Sequence, residues 1–349
     1  MVKKDKINVG VLGATGSVGQ KFIQLLENHP YFNLVEVAAS DRSAGKKYKD
    51  AVNWILPSPI PEGVAELEVK KCEPGLESRV LFSALDSSVA GHIESDLAQK
   101  GYIIVSNSKN HRMDSDVPLL IPEVNPGHLE LIKCQKYGNG AIVTNPNCST
   151  IGMVIALKPL LDNFGLEAVN VVTMQALSGA GYPGVSSLDS LDNVIPFISG
   201  EEAKLESEPL KILGGLNNSS VKDLDIKISA QTNRVAVLDG HIETVQVNLK
   251  KKVSAEEIIE CWKTFRSEPQ ELELPLAPVN PIYYFTEDKY PQPRLHRNID
   301  KGMAVSIGRL RKCSLFDYKF VLLSHNTVRG AAGGAILCAE LMMAKGYLK

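Results

Sequence analysis

A glycine-rich segment that follows a short apolar run constrains this chain more than any other feature of its sequence. Ile7 to Leu12 is apolar and partly β-branched, and Gly13-Ala14-Thr15-Gly16-Ser17-Val18-Gly19 follows it directly. Apolar residues then recur at helical spacing before Pro30, and a second apolar run extends from Leu34 to Ala39. This succession predicts strand, tight turn, helix and strand, which is the βαβ unit of a parallel sheet.

The same alternation continues to about residue 147. Val80 to Leu85 and Ile103 to Ser106 are strand candidates, and a helical stretch around His92 to Gln99 lies between them. We therefore expect an α/β protein whose first part is a doubly wound, Rossmann-type parallel sheet.

The pattern changes after Cys148. A helix is predicted over Thr150 to Leu161. The alternating stretches Ala168 to Ala176 and Lys227 to Leu249 are typical of antiparallel strands with one buried face. Further strand candidates are Met303 to Leu310 and Phe320 to Ser324. This part is thus expected to be an α+β domain with a mostly antiparallel sheet.

The last segment predicts a helix over Val328 to Met343 that begins with Gly330, Gly333 and Gly334. Because small residues allow close backbone approach, we expect this helix to return to the N-terminal domain. The predicted division is residues 1–147 plus 326–349 for one domain and 148–325 for the other.

Composition excludes several classes of function. Thirty-eight Lys plus Arg residues against 40 Asp plus Glu give a net charge of −2, so there is no basic excess for a nucleic-acid partner. No apolar run approaches the roughly 20 residues of a transmembrane helix, which predicts no membrane partner and a cytoplasmic protein. The six cysteines are scattered, without metal-ligand spacing. We expect reduced thiols and no bound metal.

The glycine segment has the context of a dinucleotide site. Glycines let the backbone approach a pyrophosphate, and the start of the following helix offers free N–H groups. The spacing is GxxGxxG and not GxGxxG, and three glycines can also serve close packing alone. The βαβ context favours nucleotide binding.

The end of the second strand bears on the choice between NAD and NADP. Asp41 alone would bind a ribose 2′-hydroxyl and favour NAD, whereas basic and hydroxyl side chains accept a 2′-phosphate. The basic and hydroxyl side chains at this position are Ser40, Arg42, Ser43 and Lys46. We predict NADP, and Asp41 leaves the preference open.

Cys148 follows Asn145-Pro146-Asn147 and lies in or beside the first turn of the predicted helix. A helix start lowers a thiol pKa and can receive an oxyanion, so this cysteine is a candidate nucleophile. The alternative is an inert buried cysteine, which is common.

Arg234 and His241 bracket a strand-like stretch and could supply a carboxylate clamp and an acid–base group. Residues seven apart on an unbroken strand point to opposite faces. Both reach one pocket only if Asp239-Gly240 breaks the strand. Taken singly, they read as a surface charge and a half-buried histidine.

In combination these segments resemble the aspartate-semialdehyde dehydrogenase family, in its archaeal and fungal type, over essentially the whole chain. The matching segments are Gly13 to Gly16, Asn145 to Cys148, Ser178 to Gly181, Arg234 to His241 and Asn326 to Gly334. The resemblance implies NADPH-dependent conversion of aspartyl 4-phosphate to aspartate 4-semialdehyde through a Cys148 thioester. It also implies a role in threonine, methionine and lysine biosynthesis, an NADP-binding domain, a catalytic and dimerisation domain, and a homodimer or homotetramer.

The same resemblance implies roles for individual residues. Cys148 would be the nucleophile, His241 the acid–base group, and Gln175 the residue that orients the acyl intermediate. The implied substrate-site residues are Arg234 for the carboxylate, Arg112 for substrate phosphate or inorganic phosphate, Glu201, Lys204 and Asn147. The implied NADP contacts are Gly13, Thr15, Gly16, Ser17, Val18, Ser40, Arg42, Ser43, Ser83, Ala84, Leu85, Ser178, Gly179, Gly181 and Asn326.

Two kinds of alternative stay open. Related reductases with the same Cys/His arrangement act on N-acetylglutamyl phosphate or malonyl-CoA, although Arg234 favours a substrate with a free carboxylate. A noncatalytic nucleotide-binding protein on the same scaffold would instead have a buried, inert Cys148 with no acid–base group nearby.

Overall fold

A computed structural model describes residues 6–348 of the protein. The N-terminal part is built on a six-stranded sheet in the order β3-β2-β1-β4-β5-β6, in which all neighbours are parallel. Its strands are β1 (Ile7–Leu12), β2 (Phe32–Ala39), β3 (Val69–Lys71), β4 (Val80–Ser83), β5 (Ile103–Ser106) and β6 (Ala141–Thr144). The doubly wound parallel sheet is confirmed, and β4 ends two residues earlier than expected.

The helices cover both sheets. They are α1 (Ser17–Leu26), α2 (Tyr48–Ala51), α3 (Glu62–Ala65), α4 (Ser87–Gln99), α5 (Cys148–Phe164), α6 (Ser187–Ser190), α7 (Glu201–Ile212), α8 (Ala255–Thr264), α9 (Glu268–Glu271), α10 (Pro293–His296) and α11 (Gly333–Ala344). Short 3₁₀ turns occur at Pro126–Cys134, Leu177–Ala180 and Ile299–Gly302. Within the described residues, none of the helices is long and apolar enough to span a bilayer.

The second sheet has seven strands in the order β13-β14-β15-β12-β7-β11-β8. Its strands are β7 (Leu166–Gln175), β8 (Val194–Ile195), β11 (Lys227–Val235), β12 (His241–Leu249), β13 (Ile282–Phe285), β14 (Val305–Lys312) and β15 (Tyr318–Ser324). The hairpin β9 (Gly215–Asn217) and β10 (Ser220–Lys222) lies apart. Four of the six pairings are antiparallel, so the mostly antiparallel sheet is confirmed.

One expectation about this sheet is corrected. The stretch from Lys227 to Leu249 is two strands, and β11 pairs with β7 in parallel, while β12 pairs with its other edge in antiparallel fashion. The chain between β7 and β11 includes α7, and such a crossover is what parallel neighbours require. As a result, β11 and β12 lie on opposite sides of β7.

The two sheets have separate apolar cores. Helix α5 packs on the inner face of the second sheet, where Val154, Leu157, Val171 and Val245 are fully buried. The C-terminal segment begins with a widened π turn at Val328–Ala332 and continues as α11. Residues of α11 pack with strands of the first sheet and with α1 in one cluster. The chain therefore returns to its first sheet at its end.

Candidate active site

Cys148 is the first residue of α5, with Asn147 as the N-cap. The Asn147 side-chain oxygen accepts from the backbone N–H groups of Ser149 and Thr150 at 3.0 and 3.4 Å. This cap satisfies two of the free donors of the helix and fixes its start. The sulfur thus lies at the N-terminus of a 17-residue helix.

His241 lies next to this sulfur. Its Nε2 is 3.1 Å from Cys148 Sγ, and its Nδ1 accepts from the backbone N–H of Ala176 at 3.0 Å. His241 is fully buried as the first residue of β12, and Ala176 directly follows β7. Because both ring nitrogens have partners, the ring orientation is fixed.

The electrostatics of this pair differ from the expectation for a helix start. Burial raises the pKa of the Cys148 thiol to about 12, and Glu201 raises it further, whereas Arg112, Arg234 and Lys204 lower it. Burial also lowers the pKa of His241 to about 3, with Arg234 and His325 acting in the same direction. The loss of hydration is the main cause of both pKa shifts, and it favours the uncharged forms of the thiol and the imidazole.

Arg234 reaches the same pocket as His241. Its Nη1 donates to the Ala176 carbonyl at 2.7 Å. The two residues meet because β11 and β12 flank β7 and because the chain turns at Gly240, whose φ is +97°. A Cβ at Gly179 would lie 2.8 Å from Arg234 Nη1 and 3.3 Å from His241 Cε1. The Gly179 backbone therefore packs directly on both functional groups.

Glu201 joins several polar side chains beside the sulfur. Its Oε2 accepts from Asn147 Nδ2 at 2.8 Å and from Gln175 Nε2 at 3.3 Å, and its Oε1 accepts from Lys204 Nζ at 2.6 Å. Burial pushes the pKa of the Glu201 carboxyl up, but Lys204 and the amide hydrogen bonds hold it below its usual value. The carboxylate is thus ionised, and it links Gln175 to the N-cap.

Arg112 is buried at the same site with part of its guanidinium already engaged. Nη1 donates to Glu208 Oε1 and Nη2 donates to the Asn107 carbonyl, both at 2.8 Å. Its Nε has no hydrogen-bond partner among residues 6–348. Glu208 also accepts from the backbone N–H of Asn147, which connects Arg112 to the residue before Cys148.

Two residues of α7 that sequence reasoning missed hold this region together. Glu208 Oε2 accepts from the backbone N–H of Asn147 at 2.7 Å, while Oε1 binds Arg112. Lys211 Nζ donates to three backbone carbonyls, at 2.7, 2.7 and 2.8 Å, and burial lowers its pKa to about 8. The three carbonyls belong to Arg112, Asp114 and Val117.

A sequence signal for these residues exists. Glu201, Lys204, Glu208 and Lys211 recur at spacings of three and four, which places them on one face of a helix. The resemblance singles out only Glu201 and Lys204, so Glu208 and Lys211 had no predicted role. In the structure Glu208 and Lys211 are 2 and 3% exposed.

A buried polar layer lies between the second sheet and the start of α5. Glu243 follows His241 by two residues on the same face of β12, opposite Thr173 of β7. It is fully buried, and its two carboxyl oxygens have no hydrogen-bond partner in the described part of the chain. Burial raises its pKa well above the usual value. Burial therefore favours the uncharged form of the Glu243 carboxyl.

The glycine turn forms a tight cradle at the end of the first sheet. Gly13 has φ +71°, and a Cβ there would lie 2.5 Å from the Ala84 carbonyl oxygen. A Cβ at Gly19 would lie 2.3 Å from the Gly13 oxygen. Gly16 is the N-cap of α1, and no side chain caps this helix. The turn thus presents free backbone donors and no side-chain bulk, as a pyrophosphate requires.

A cleft of about 650 Å³ lies between the start of α1 and the loop that follows β7. Predicted cofactor residues line it from both halves of the chain, namely Ser17, Val18, Ser178 and Gly181. Asn326 Nδ2 donates to Ser178 Oγ at 2.8 Å, and its Oδ1 accepts from the Gly240 N–H at 2.8 Å. Lys21, Tyr182 and Arg297 also line this cleft and were missed by sequence reasoning.

The other predicted cofactor residues differ from one another in exposure. Ser40, Asp41 and Arg42 are exposed after β2 in a turn that the Ser43 N–H closes on the Ser40 carbonyl at 2.8 Å. Ser83 is fully buried, and its hydroxyl donates to Glu94 Oε1 at 2.6 Å. The Ser83 side chain therefore points inward and leaves its backbone at the edge of the sheet. Within residues 6–348, no cluster of His, Cys, Asp and Glu side chains could hold a metal.

Comparisons with known proteins agree along the whole chain. The family model described as "Semialdehyde dehydrogenase, NAD binding domain" matches residues 8–132, and "Semialdehyde dehydrogenase, dimerisation domain" matches residues 157–329. The aspartate-semialdehyde dehydrogenase of Archaeoglobus fulgidus is 49% identical over 97% of this chain and 98% of its own. The aspartate-semialdehyde dehydrogenase of Schizosaccharomyces pombe is also 49% identical, over 97% of this chain and 99% of its own.

Solved structures give the same result. The crystal structure of aspartate semialdehyde dehydrogenase with NADP from Candida albicans has a TM-score of 0.91 and 43% identity, and the match covers 99% of this chain and 100% of that one. Aspartate semialdehyde dehydrogenase II of Vibrio cholerae, complexed with ASA, has a TM-score of 0.77 and 26% identity over 98 and 99% of the two chains.

Proposed function

The chain belongs to the aspartate-semialdehyde dehydrogenase family, and from that premise we propose how its residues carry out the reaction. It is an enzyme of aspartate-family amino-acid biosynthesis, and its NADP-binding and dimerisation domains are those of the family. The observation that carries the proposal is the 3.1 Å separation of Cys148 Sγ and His241 Nε2 at the start of a capped helix.

NADP is the cofactor, as in the related Candida albicans structure. Gly13, Thr15, Gly16, Ser17 and Val18 would hold the pyrophosphate at the start of α1, since a Cβ at Gly13 has no room and the α1 N-terminus has free donors. When bound in its reduced form, the cofactor supplies hydride to the acyl carbon. Ser40, Arg42 and Ser43 would bind the 2′-phosphate, and the backbone of Ser83, Ala84 and Leu85 would border the nucleotide. Gly179, Gly181 and Asn326 would shape the nicotinamide end of the cleft.

Cys148 attacks the acyl carbon of aspartyl 4-phosphate, phosphate leaves, and a thioester forms on the sulfur. Arg234 binds the α-carboxylate of the substrate, for which a guanidinium is well suited. Arg112 and Lys204 bind the phosphate group, because both cations lie near the sulfur and act on its charge. Inorganic phosphate uses the same groups in the reverse reaction.

Gln175 and Asn147 orient the acyl group through the carboxylate of Glu201, to which both amides donate. The N-terminus of α5 and the His241 Nε2 face the position where the carbonyl oxygen becomes an oxyanion. Reduction of the thioester and collapse of the adduct release aspartate semialdehyde and restore the sulfur.

The rival substrates are less well supported. An acetylated amino group or a coenzyme A moiety would need its own binding groups, and the full-length relatives cited above act on aspartate semialdehyde by name. The noncatalytic alternative predicts an inert cysteine without an acid–base group, whereas the ring of His241 is within contact distance.

The domain division predicted above is part of this proposal, with residues 1–147 plus 326–349 binding NADP and 148–325 carrying catalysis and dimerisation. The packing of α11 on the first sheet supports it. We also propose a homodimer or homotetramer in the cytoplasm. Exposed apolar side chains on α6 and between α6 and α7 suit a second copy of the chain, namely Leu188, Leu191, Val194 and Phe197.

Phosphate- and NADP-dependent oxidation of aspartate semialdehyde tests the proposal. The wild-type protein should reduce NADP, and Cys148→Ser should lower kcat by at least about a thousandfold. Cys134→Ser, which changes a thiol outside the site, serves as the matched control and should keep full activity. Undiminished turnover by Cys148→Ser would rule out the thioester route.

A further inference from the structure

Glu94 places a buried carboxyl between two strand ends of the first sheet. It lies on α4 and is fully buried. Its Oε1 accepts from the hydroxyls of Ser83 and Ser106, at 2.6 and 2.7 Å. These serines are the last residues of β4 and β5, and they are register partners in this parallel pair. One carboxyl oxygen therefore joins the ends of two neighbouring strands.

The Ser106 hydroxyl extends this contact into the loop that follows β5. Its oxygen accepts from the backbone N–H of Ser108 at 3.0 Å, and Ser108 Oγ donates to Asn110 Oδ1 at 2.6 Å. The backbone N–H of Asn107 donates to the Ser83 carbonyl at 3.0 Å. The loop thus leaves the sheet with two consecutive backbone N–H groups held by the strand ends.

The same loop carries Arg112, and the residue after Ser106 holds its guanidinium. The Asn107 carbonyl accepts from Arg112 Nη2 at 2.8 Å. Asn107 Oδ1 accepts from Asn145 Nδ2, also at 2.8 Å. The other guanidinium nitrogen, Nη1, donates to Glu208. A shift of Asn107 would therefore move one of the two acceptors that orient the Arg112 side chain.

The contact of Glu94 with the two hydroxyls does not depend on its charge. Burial raises the pKa of the Glu94 carboxyl, and the two serine hydroxyls act against this shift. Its second oxygen, Oε2, has no hydrogen-bond partner within residues 6–348, and His111 Nε2 is 4.0 Å away from it. A carboxyl group keeps an acceptor oxygen in its protonated form as well as in its ionised form, so Oε1 can hold both serines in either state.

We propose that Glu94 is a positioning residue for Arg112, because through Ser106 it fixes the start of the loop that carries the guanidinium. This inference rests on the proposed function, in which Arg112 binds the phosphate group. Glu94 itself touches neither substrate nor cofactor. The end of β4 has a second support, since the Ala84 N–H donates to the Leu12 carbonyl at 2.9 Å. Loss of Glu94 should therefore affect phosphate more than NADP.

Two substitutions of Glu94 separate the acceptor oxygen from the bulk of the side chain. Glu94→Gln keeps one oxygen for both hydroxyls, whereas Glu94→Leu fills the space without an acceptor. In the phosphate-dependent oxidation of aspartate semialdehyde, Glu94→Leu should raise KM for phosphate about tenfold and KM for NADP less than about twofold. Glu94→Gln should stay within about twofold of the wild type.

Asp96→Asn is the control on the same helix, because its half-exposed side chain contacts only His92, and it should match the wild type. An unchanged KM for phosphate in Glu94→Leu would overturn the proposal. An equal loss in Glu94→Gln would do the same, since the acceptor oxygen is retained there.

The two serines provide a matched pair that decides the matter if Glu94→Leu does not fold. Ser83→Ala and Ser106→Ala each remove one hydroxyl from Glu94, but only Ser106 Oγ also accepts from the Ser108 N–H. Ser106→Ala should therefore raise KM for phosphate at least about threefold more than Ser83→Ala. Equal values for the two variants would show that this contact does not control the phosphate site.

Hydrogen exchange tests the contact without an activity assay. Deuterium uptake by the segment from Asn107 to Arg112, measured by mass spectrometry, should be faster in Ser106→Ala than in the wild type, because the Ser108 N–H loses its acceptor. Equal uptake would contradict the positioning role. Failure of the wild-type enzyme to oxidise aspartate semialdehyde would instead refute the proposed function and leave the exchange result standing.

Discussion

The glycine cradle and the cysteine site are built by different means. The cradle comes from one contiguous stretch, Gly13 to Gly19, and works through the shape of its backbone. The cysteine site collects side chains from α5, α7, β11 and β12, from the end of β7 and from the loop that holds Arg112. Its geometry is held by buried charges and hydrogen bonds between segments that are far apart in the chain.

This difference determines how each region tolerates change. At Gly13 and Gly19 of the cradle a single methyl group is excluded on steric grounds. In the cysteine site a substitution of equal size is damaging when it changes a charge or a donor, because the groups around it are buried and depend on their partners.

The largest effect concerns Lys211, a charge buried among three carbonyls. Its pKa is lowered by burial from 10.5 to about 8, so between these values the unfolded chain holds a proton that the folded protein has released. Stability then rises with pH through this window. The free energy of unfolding of the wild type should gain about 3 kcal/mol relative to Lys211→Met between pH 8 and 10.5.

Chemical denaturation at several pH values measures this difference. The exposed Lys133 provides the control, and Lys133→Met should follow the wild-type curve in parallel. Parallel curves for Lys211→Met as well would show that the buried ammonium does not titrate in this range.

Glu208→Gln tests a charge at nearly constant volume. An amide offers one oxygen where the carboxylate satisfies both Arg112 and the Asn147 N–H, so one of these donors loses its acceptor. We expect kcat/KM for phosphate to fall about a hundredfold, while NADP affinity stays unchanged.

Steady-state kinetics and cofactor titration give the two readouts. Glu206→Gln is the control on the same helix, because its one acceptor contact, with the Ala230 N–H, suits an amide oxygen equally well. A Glu208→Gln enzyme with normal phosphate kinetics would show that this carboxylate does not position the site.

Gly13→Ala and Gly16→Ala compare one methyl group at two places in the cradle. Gly13→Ala should lose about 2 kcal/mol of stability, because its φ is +71° and its Cβ would meet the Ala84 carbonyl. At Gly16, with φ −76°, the nearest atom to a Cβ is 3.4 Å away. Gly16→Ala should therefore keep its melting temperature and lose NADP affinity, since the methyl group faces the pyrophosphate.

Thermal unfolding and NADP titration of both variants separate the two effects. If both variants melted like the wild type and bound NADP normally, backbone shape would not control the cradle.

Arg42→Ala should give the smallest effect, because the side chain is exposed and its contact with the 2′-phosphate is screened. We expect about a tenfold loss in kcat/KM with NADP and no change with NAD. Asp41→Asn is the converse variant and should weaken NAD alone. An equal loss with both cofactors would place Arg42 away from the 2′-phosphate.

The same contrast explains how much of the structure the sequence predicts. The strands Ile7–Leu12 and Ile103–Ser106 follow from local periodicity and lie where expected, whereas α5 begins at Cys148, two residues before its predicted start. The placement of β11 and β12 on either side of β7 depends on long-range pairing. Local pattern does not specify it, and the antiparallel expectation for β11 was wrong for that reason.

The pKa shifts and buried charges of the site could not be predicted from the sequence either. The position of Cys148 at a helix start is visible in Asn145-Pro146-Asn147-Cys148, but the burial that raises its pKa arises from packing of distant segments. Likewise, the contacts of Glu208 and Lys211 arise only because α7 packs against the loop of Arg112. Burial, and not residue type, decides their role.

The packing of α11 on the first sheet has a consequence for biosynthesis of the protein itself. The sixth strand ends at Thr144, and α11 does not begin until Gly333. The part of the first sheet that α11 covers thus stays without this helix while the chain from Leu166 to Ser324, which builds the second sheet, is synthesised. A cotranslational chaperone that shields this apolar surface would have that interval in which to act.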